Sequence, residues 1–145
     1  GATSSPGGVR LSLYLLDTNV ISETAKARPH GAVMSWLEKT PSALLFLSAV
    51  TIAELQRGAE RTRVHDPVRA RRFDDWIDSL ASSYNLLPFE VEAAREWARS
   101  VPKRTDPNLE DAMIAAIARV HGLCVVTRNE KDFARFGVPI LNPFE

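Results

Sequence analysis

Cysteine is nearly absent: Cys124 is the only one in 145 residues, so no disulfide can form within the chain. That suits a reducing compartment, and a cytoplasmic location is expected. Cys124 lies inside the apolar run Leu123 to Val126, where a buried, unreactive thiol is the natural reading. The three histidines, His30, His65 and His121, are scattered, with no pair at metal-ligand spacing, so they read as surface or capping residues. Charge of one sign is missing as well. Eighteen basic residues balance eighteen acidic ones, which excludes a strongly basic polyanion binder. No apolar run approaches the length needed to cross a bilayer, so no membrane association is expected. Neither a Walker loop nor GxGxxG occurs, leaving nucleoside triphosphate and dinucleotide binding without support. Gly1 to Arg10 (GATSSPGGVR) has no apolar segment, so it is neither a signal peptide nor core. Residues 1–12 are expected to form a tail, disordered or left over from cloning, ahead of a single domain at 13–145.

What is present is the make-up of an ordinary globular domain, 45% hydrophobic and 25% charged, long enough to bury most of its apolar surface unaided. Within it, acids recur where apolar elements end. Asp17 closes Tyr14-Leu15-Leu16, and Glu54 follows Leu44 to Val50. Asp111 opens the Ala112 to Val120 run, and Asp132 follows Leu123 to Thr127. Four carboxylates converging on one cleft would repel one another unless a cation lay between them. Oxygen ligands without a His or Cys cluster point to Mg²⁺ or Mn²⁺, ions suited to phosphate ester chemistry.

The order of elements supports such a convergence. A strand at Leu13 to Leu16 leads into a helical start at Thr18 to Ala25. After the Pro29-His30-Gly31 break, Val33, Trp36 and Leu37 mark one face of a helix ending near Lys39. Leu44-Leu45-Phe46-Leu47 reads as a strand covered on both faces. A helix at Thr51 to Arg57 is expected to close at Gly58 as a C-terminal cap. Asp66-Pro67 opens a helix over Pro67 to Leu80, with Phe73, Trp76, Ile77 and Leu80 on its apolar side. Leu86 to Phe89 contains Pro88 and suits a sheet edge. Glu90 to Ser100 is helical, with Val91, Ala94, Trp97 and Ala98 on one side. Asp106-Pro107 repeats the cap-plus-proline signal ahead of the helix carrying Asp111, which ends at His121-Gly122. Strands at Leu123 to Thr127 and Pro139 to Leu141 complete a parallel α/β sheet with helices on both faces. Ligands of such sheets sit at the strands' carboxyl ends.

Taken singly, the acids are ambiguous. Asp17 could merely cap the next helix, Asp111 could complement its helix dipole, and Asp132 could be a solvated loop residue. Glu54, flanked by Ile52, Ala53 and Leu55, is costlier to explain without a function. Arg57, Arg61, Arg63, Arg69, Arg71 and Arg72 would form a basic rim if they shared a face, but a solvated helix surface is the plainer reading. Trp36, Trp76 and Trp97 on separate helices offer more apolar face than one small sheet needs, which suggests a homodimer.

LLDTNV at Leu15 to Val20, TIAELQRG at Thr51 to Gly58, DAMIAA at Asp111 to Ala116, VVTRNEKDF at Val125 to Phe133 and GVPILNPF at Gly137 to Phe144 carry a resemblance. In this order the chain resembles PIN-domain ribonucleases, specifically the VapC-type and FitB-type toxins of toxin–antitoxin pairs, over Leu13 to Glu145. The departures are Met113, where a branched aliphatic is usual, and an NPFE ending where a tryptophan often closes the chain. The resemblance implies a three-layer α/β/α sandwich with a mainly parallel sheet and a single PIN domain. Its metal site would be formed by Asp17, Glu54, Asp111 and Asp132, with supporting roles for Asn19 and the Thr127 hydroxyl. It further implies an RNA substrate, a homodimer, a cognate antitoxin that places an Arg or Lys among the acids, and contact with DNA only through that antitoxin. Two alternatives stay open, a catalytically silent nucleic-acid-binding scaffold and a metal-dependent phosphatase.

Overall fold

The structure, a computed structural model, describes residues 12–145. The expected N-terminal tail therefore lies almost wholly outside the described residues. Five short strands, β1 (Tyr14–Leu16), β2 (Leu45–Ser48), β3 (Asn85–Leu87), β4 (Cys124–Val126) and β5 (Ile140–Leu141), form one sheet in the order β3-β2-β1-β4-β5. Every pairing is parallel, with Leu15 opposite both Phe46 and Val125. The chain builds outward from β1 to β2 and β3, then returns to add β4 and β5 on the other side. The order thus reverses between β1 and β4, and it is beyond the carboxyl ends of the strands at such a switch point that ligands of open α/β sheets bind.

Strand alternation sends successive side chains to opposite faces, and both faces are covered. Leu15 and Val125 join one core, with Ala93 of α5 (Val91–Ser100), the apolar side of α6 (Leu109–His121), and Phe133 of α7 (Glu130–Ala134). Leu16, Leu45, Leu47 and Val126 join the other, with residues of α1 (Thr18–Ile21), α2 (Gly31–Lys39), α3 (Ala49–Arg63) and α4 (Pro67–Ser83). This is the three-layer α/β/α sandwich expected. Ala112, Ala115, Ala116 and Ala118 are fully buried, and small side chains there let α6 lie close on the sheet.

Several local expectations are corrected. Gly58 does not end its helix: α3 runs from Ala49 to Arg63, because Leu55 and Ala59 are buried on either side of the glycine and packing outweighs its poor propensity. The strand run stops at Ser48, whose hydroxyl accepts a bond from Thr51 N and starts α3 earlier than Thr51. Asp106-Pro107 is not the cap of α6. Asp106 instead accepts a bond from Lys103 N, and Asn108, in the left-handed region at φ 58°, precedes the first turn. On α5 the inward side is Ala93 with Trp97, while Val91 is 76% exposed and Ala98 is exposed. Gly122 caps α6 at φ 68°, and β3 takes the sheet edge, both as expected.

Candidate active site

Asp17 is delivered by β1 to the switch point. Its own N–H donates to the Val126 carbonyl at 2.9 Å, so the residue is held between β1 and β4. The side chain is only 3% exposed but well partnered. Its Oδ1 accepts from Thr18 N at 2.8 Å, capping α1. Its Oδ2 accepts from the Thr127 hydroxyl at 2.8 Å and from Asn19 Nδ2 at 3.1 Å. The capping role and the inward carboxylate therefore coexist. Burial pushes the Asp17 carboxyl upward, opposed by the bonds from Thr127 and Thr18, and Asp132 adds repulsion.

Asn19 and Thr127 brace the loop after β4. Asn19 Nδ2 also reaches the Thr127 hydroxyl at 3.3 Å, and its carbonyl oxygen accepts from Arg128 N at 3.2 Å. Thr127 Oγ1 in turn accepts from Asn129 N at 2.9 Å. A hydroxyl can donate once while accepting elsewhere, which is what this position requires.

Glu54, on the second turn of α3, is tied to α1 through the Thr18 hydroxyl, which donates to its Oε1 at 3.1 Å. Burial raises its carboxyl, the Thr18 bond opposes this, and Asp17 and Glu110 add repulsion. Asp111 sits in the first turn of α6, whose start is anchored twice. Trp97 Nε1 donates to the Leu109 carbonyl at 3.1 Å, and Arg135 Nη2 to the Pro107 carbonyl at 3.0 Å. The Asp111 carboxyl is pushed up to about 7, first by burial and then by Asp17, Asp132, Glu54 and Glu110. Asp132, in the first turn of α7, accepts a long bond from Asn108 Nδ2 at 3.4 Å.

The four acids thus lie within one another's fields, and Glu110 joins them. None of the four has an ion-pair partner among the described residues; Glu110 is 3.8 Å from Arg57. They do not close on themselves: among the described residues no three carboxylates stand together as a ready coordination cage. The donors are oxygens only, with no histidine or cysteine among them, which is the chemistry a hard cation takes. Sequence reasoning missed Glu110, Thr18 and Asn108. Adjacency to a strand-end acid was the available signal for Thr18, and an acid in a first helical turn for Glu110. Nothing in the sequence marks Asn108.

Of the six arginines between 57 and 72, the structure divides the group. Arg63 is bound to Glu60 and Asp74, whereas Arg69 and Arg72 line a separate cavity of about 630 Å³ with Phe73 and Trp76, where none of the four acids takes part.

Fold and site together define a doubly wound α/β domain with a group of mutually repelling acids at its switch point. The PIN domain family model matches residues 14–139, and the chain belongs to that family. It is 36% identical over 142 residues to the VapC ribonuclease Y4jK of Sinorhizobium fredii, covering 92% of this chain and 99% of the relative. It is 33% identical over 143 residues to Toxin FitB of Neisseria gonorrhoeae, covering 91% and 99%. Among solved structures, FitAcB from Neisseria gonorrhoeae superposes with a TM-score of 0.81 at 29% identity, covering 92% of this chain and 99% of that one.

Proposed function

We propose that the protein is a divalent-metal-dependent endoribonuclease, the toxin of a type II toxin–antitoxin pair, which hydrolyses phosphodiester bonds in RNA in the cytoplasm. The observation that carries this reading is the set of four mutually repelling carboxylates, none of them in an ion pair among the described residues, on a PIN domain similar to a ribonuclease and to a toxin. Asp17, Glu54, Asp111 and Asp132 would hold Mg²⁺ or Mn²⁺. When bound, the ion supplies Lewis-acid activation of water and neutralises charge on the phosphate. Thr127 and Asn19 orient the Asp17 carboxylate, and Thr18 orients that of Glu54. One of the acids would accept the proton of the attacking water, and Glu54 Oε2, which takes no hydrogen bond among the described residues, would be free to do so. The cognate antitoxin would silence the site by setting an Arg or Lys among the acids, and DNA would be met only through that antitoxin. A homodimer is included, supported by Leu86 on the open edge of β3 and the exposed Val91 beyond it.

The test is cleavage of single-stranded RNA by the purified protein with Mg²⁺ or Mn²⁺. Chelation with EDTA and the Asp17→Asn substitution should each abolish it. Undiminished cleavage in excess EDTA would overturn the metal-dependent reading. RNA binding without turnover would favour a silent scaffold, and hydrolysis of a chromogenic phosphate ester without RNA cleavage would favour a phosphatase.

A further inference from the structure

An endoribonuclease with acids at its site must still hold a polyanion, and several of the chain's arginines are already engaged. Arg57 stands 3.8 Å from Glu110, Arg119 is bound to Glu96 and the Phe136 carbonyl, and Arg135 to the Pro107 carbonyl. Arg128 differs. It is exposed and directly follows Thr127, and its backbone N–H is held by the same Asn19 side chain that bonds to Asp17. Among the described residues its guanidinium has no hydrogen-bond or ion-pair partner, although it flanks a cluster of acids. It lies instead over the Phe144 ring, with the guanidinium carbon 4.4 Å from the centroid.

Phe144 is itself held. Its N–H donates to Asn142 Oδ1 at 3.0 Å, Asn142 Nδ2 reaches Glu130 Oε2 at 3.2 Å, and the His30 ring meets Phe144 edge-on at 5.1 Å. A guanidinium stacked on an aromatic face keeps all five N–H donors at its rim, and losing rotamer freedom beforehand lowers the entropy cost of gripping a ligand. Phosphate is the ligand that this planar fork matches.

We propose that Arg128, presented by Asn19 and stacked on Phe144, anchors a backbone phosphate of the RNA strand beside the cleavage site, with Phe144 as its positioning residue. The proposal rests on the ribonuclease reading above. The experiment is a steady-state salt series on a single-stranded RNA substrate. Removing one cation that neutralises a phosphate reduces the slope of log(kcat/KM) against log salt by about 0.7 for single strands. Arg128→Ala should show that reduction and raise KM by about tenfold with little change in kcat. Arg128→Lys should keep the slope. Phe144→Ala should raise KM while leaving the slope in place, and Phe144→Trp should restore KM. If the parent cleaves RNA and Arg128→Ala keeps the parental slope and KM, the anchor is overturned while the ribonuclease reading stands. A fall in kcat alone, with KM and slope unchanged, also overturns it. A parent that does not cleave RNA overturns both.

Discussion

Asp111 concentrates the cost of gathering acids at one end of the sheet. Its carboxyl, at about 7 in the folded chain against an ordinary 3.8, binds its proton more tightly when folded than when unfolded. The stability this contributes is therefore complete below the ordinary value and is lost as pH rises through about 7. In metal-free protein, Asp111→Asn should leave stability unchanged or higher, and its advantage in melting temperature over the parent should grow between about pH 5 and pH 8. Parallel melting curves across that range would remove the repulsion argument. Added Mn²⁺ should raise the parent's melting temperature, since a ligand at about a hundred times its Kd contributes roughly 2.7 kcal/mol, and the shift should shrink in the variant. Thr127 is the complementary case, because its hydroxyl serves both Asp17 Oδ2 and Asn129 N. Thr127→Val keeps the shape but withdraws a bond from a buried carboxylate. It should cost about 1–3 kcal/mol in urea unfolding and reduce cleavage, whereas Thr127→Ser should retain most of both.

At the scale of elements, α3 shows how packing overrides propensity. Gly58 lies mid-helix, its φ is not positive, and an added Cβ would meet only Arg61 Nη2 at 3.9 Å, an ordinary contact. Gly58→Ala should therefore stabilise the protein by about 0.5–1 kcal/mol, read as a higher urea midpoint with an unchanged slope. A loss of stability would mean that the glycine serves a close approach not evident at this site. The strands and the long helices were legible because their apolar periodicities are strong: Phe73, Trp76, Ile77 and Leu80 mark α4, and the Leu-rich run marks β2. The start of α6 was not legible. Asp106-Pro107 has the chemistry of a cap, yet Asp106 turns back to Lys103 N, and the helix begins only after Asn108 has taken a left-handed backbone.

For the whole molecule, the three tryptophans prove less available than their spacing suggests. Trp36 packs edge-on against Tyr14, Trp76 against Phe73 and Trp97 against Phe89, and all three are partly buried within the domain. Among the described residues the exposed large apolar side chains are instead Val64, Val68, Leu86 and Val91. Sedimentation at micromolar concentration should give twice the chain mass. Leu86→Lys, adding a charge at the open edge of β3, should shift the equilibrium towards monomer. A parent that sediments only as monomer would remove the homodimer from the proposed function. No helix among the described residues is long and apolar enough to cross a membrane.

The residue pattern by itself determined the alternation of strands and helices, the parallel sheet and the positions of the four acids relative to the ends of those elements, since each follows from local periodicity and composition. Only the tertiary structure decided that the strand order reverses between β1 and β4. That reversal brings Asp17 within 2.8 Å of a hydroxyl 110 residues further along the chain and places Glu110 in the field of Glu54. Such relations depend on which strand lies beside which, a choice made by the burial of two separate cores rather than by any local preference.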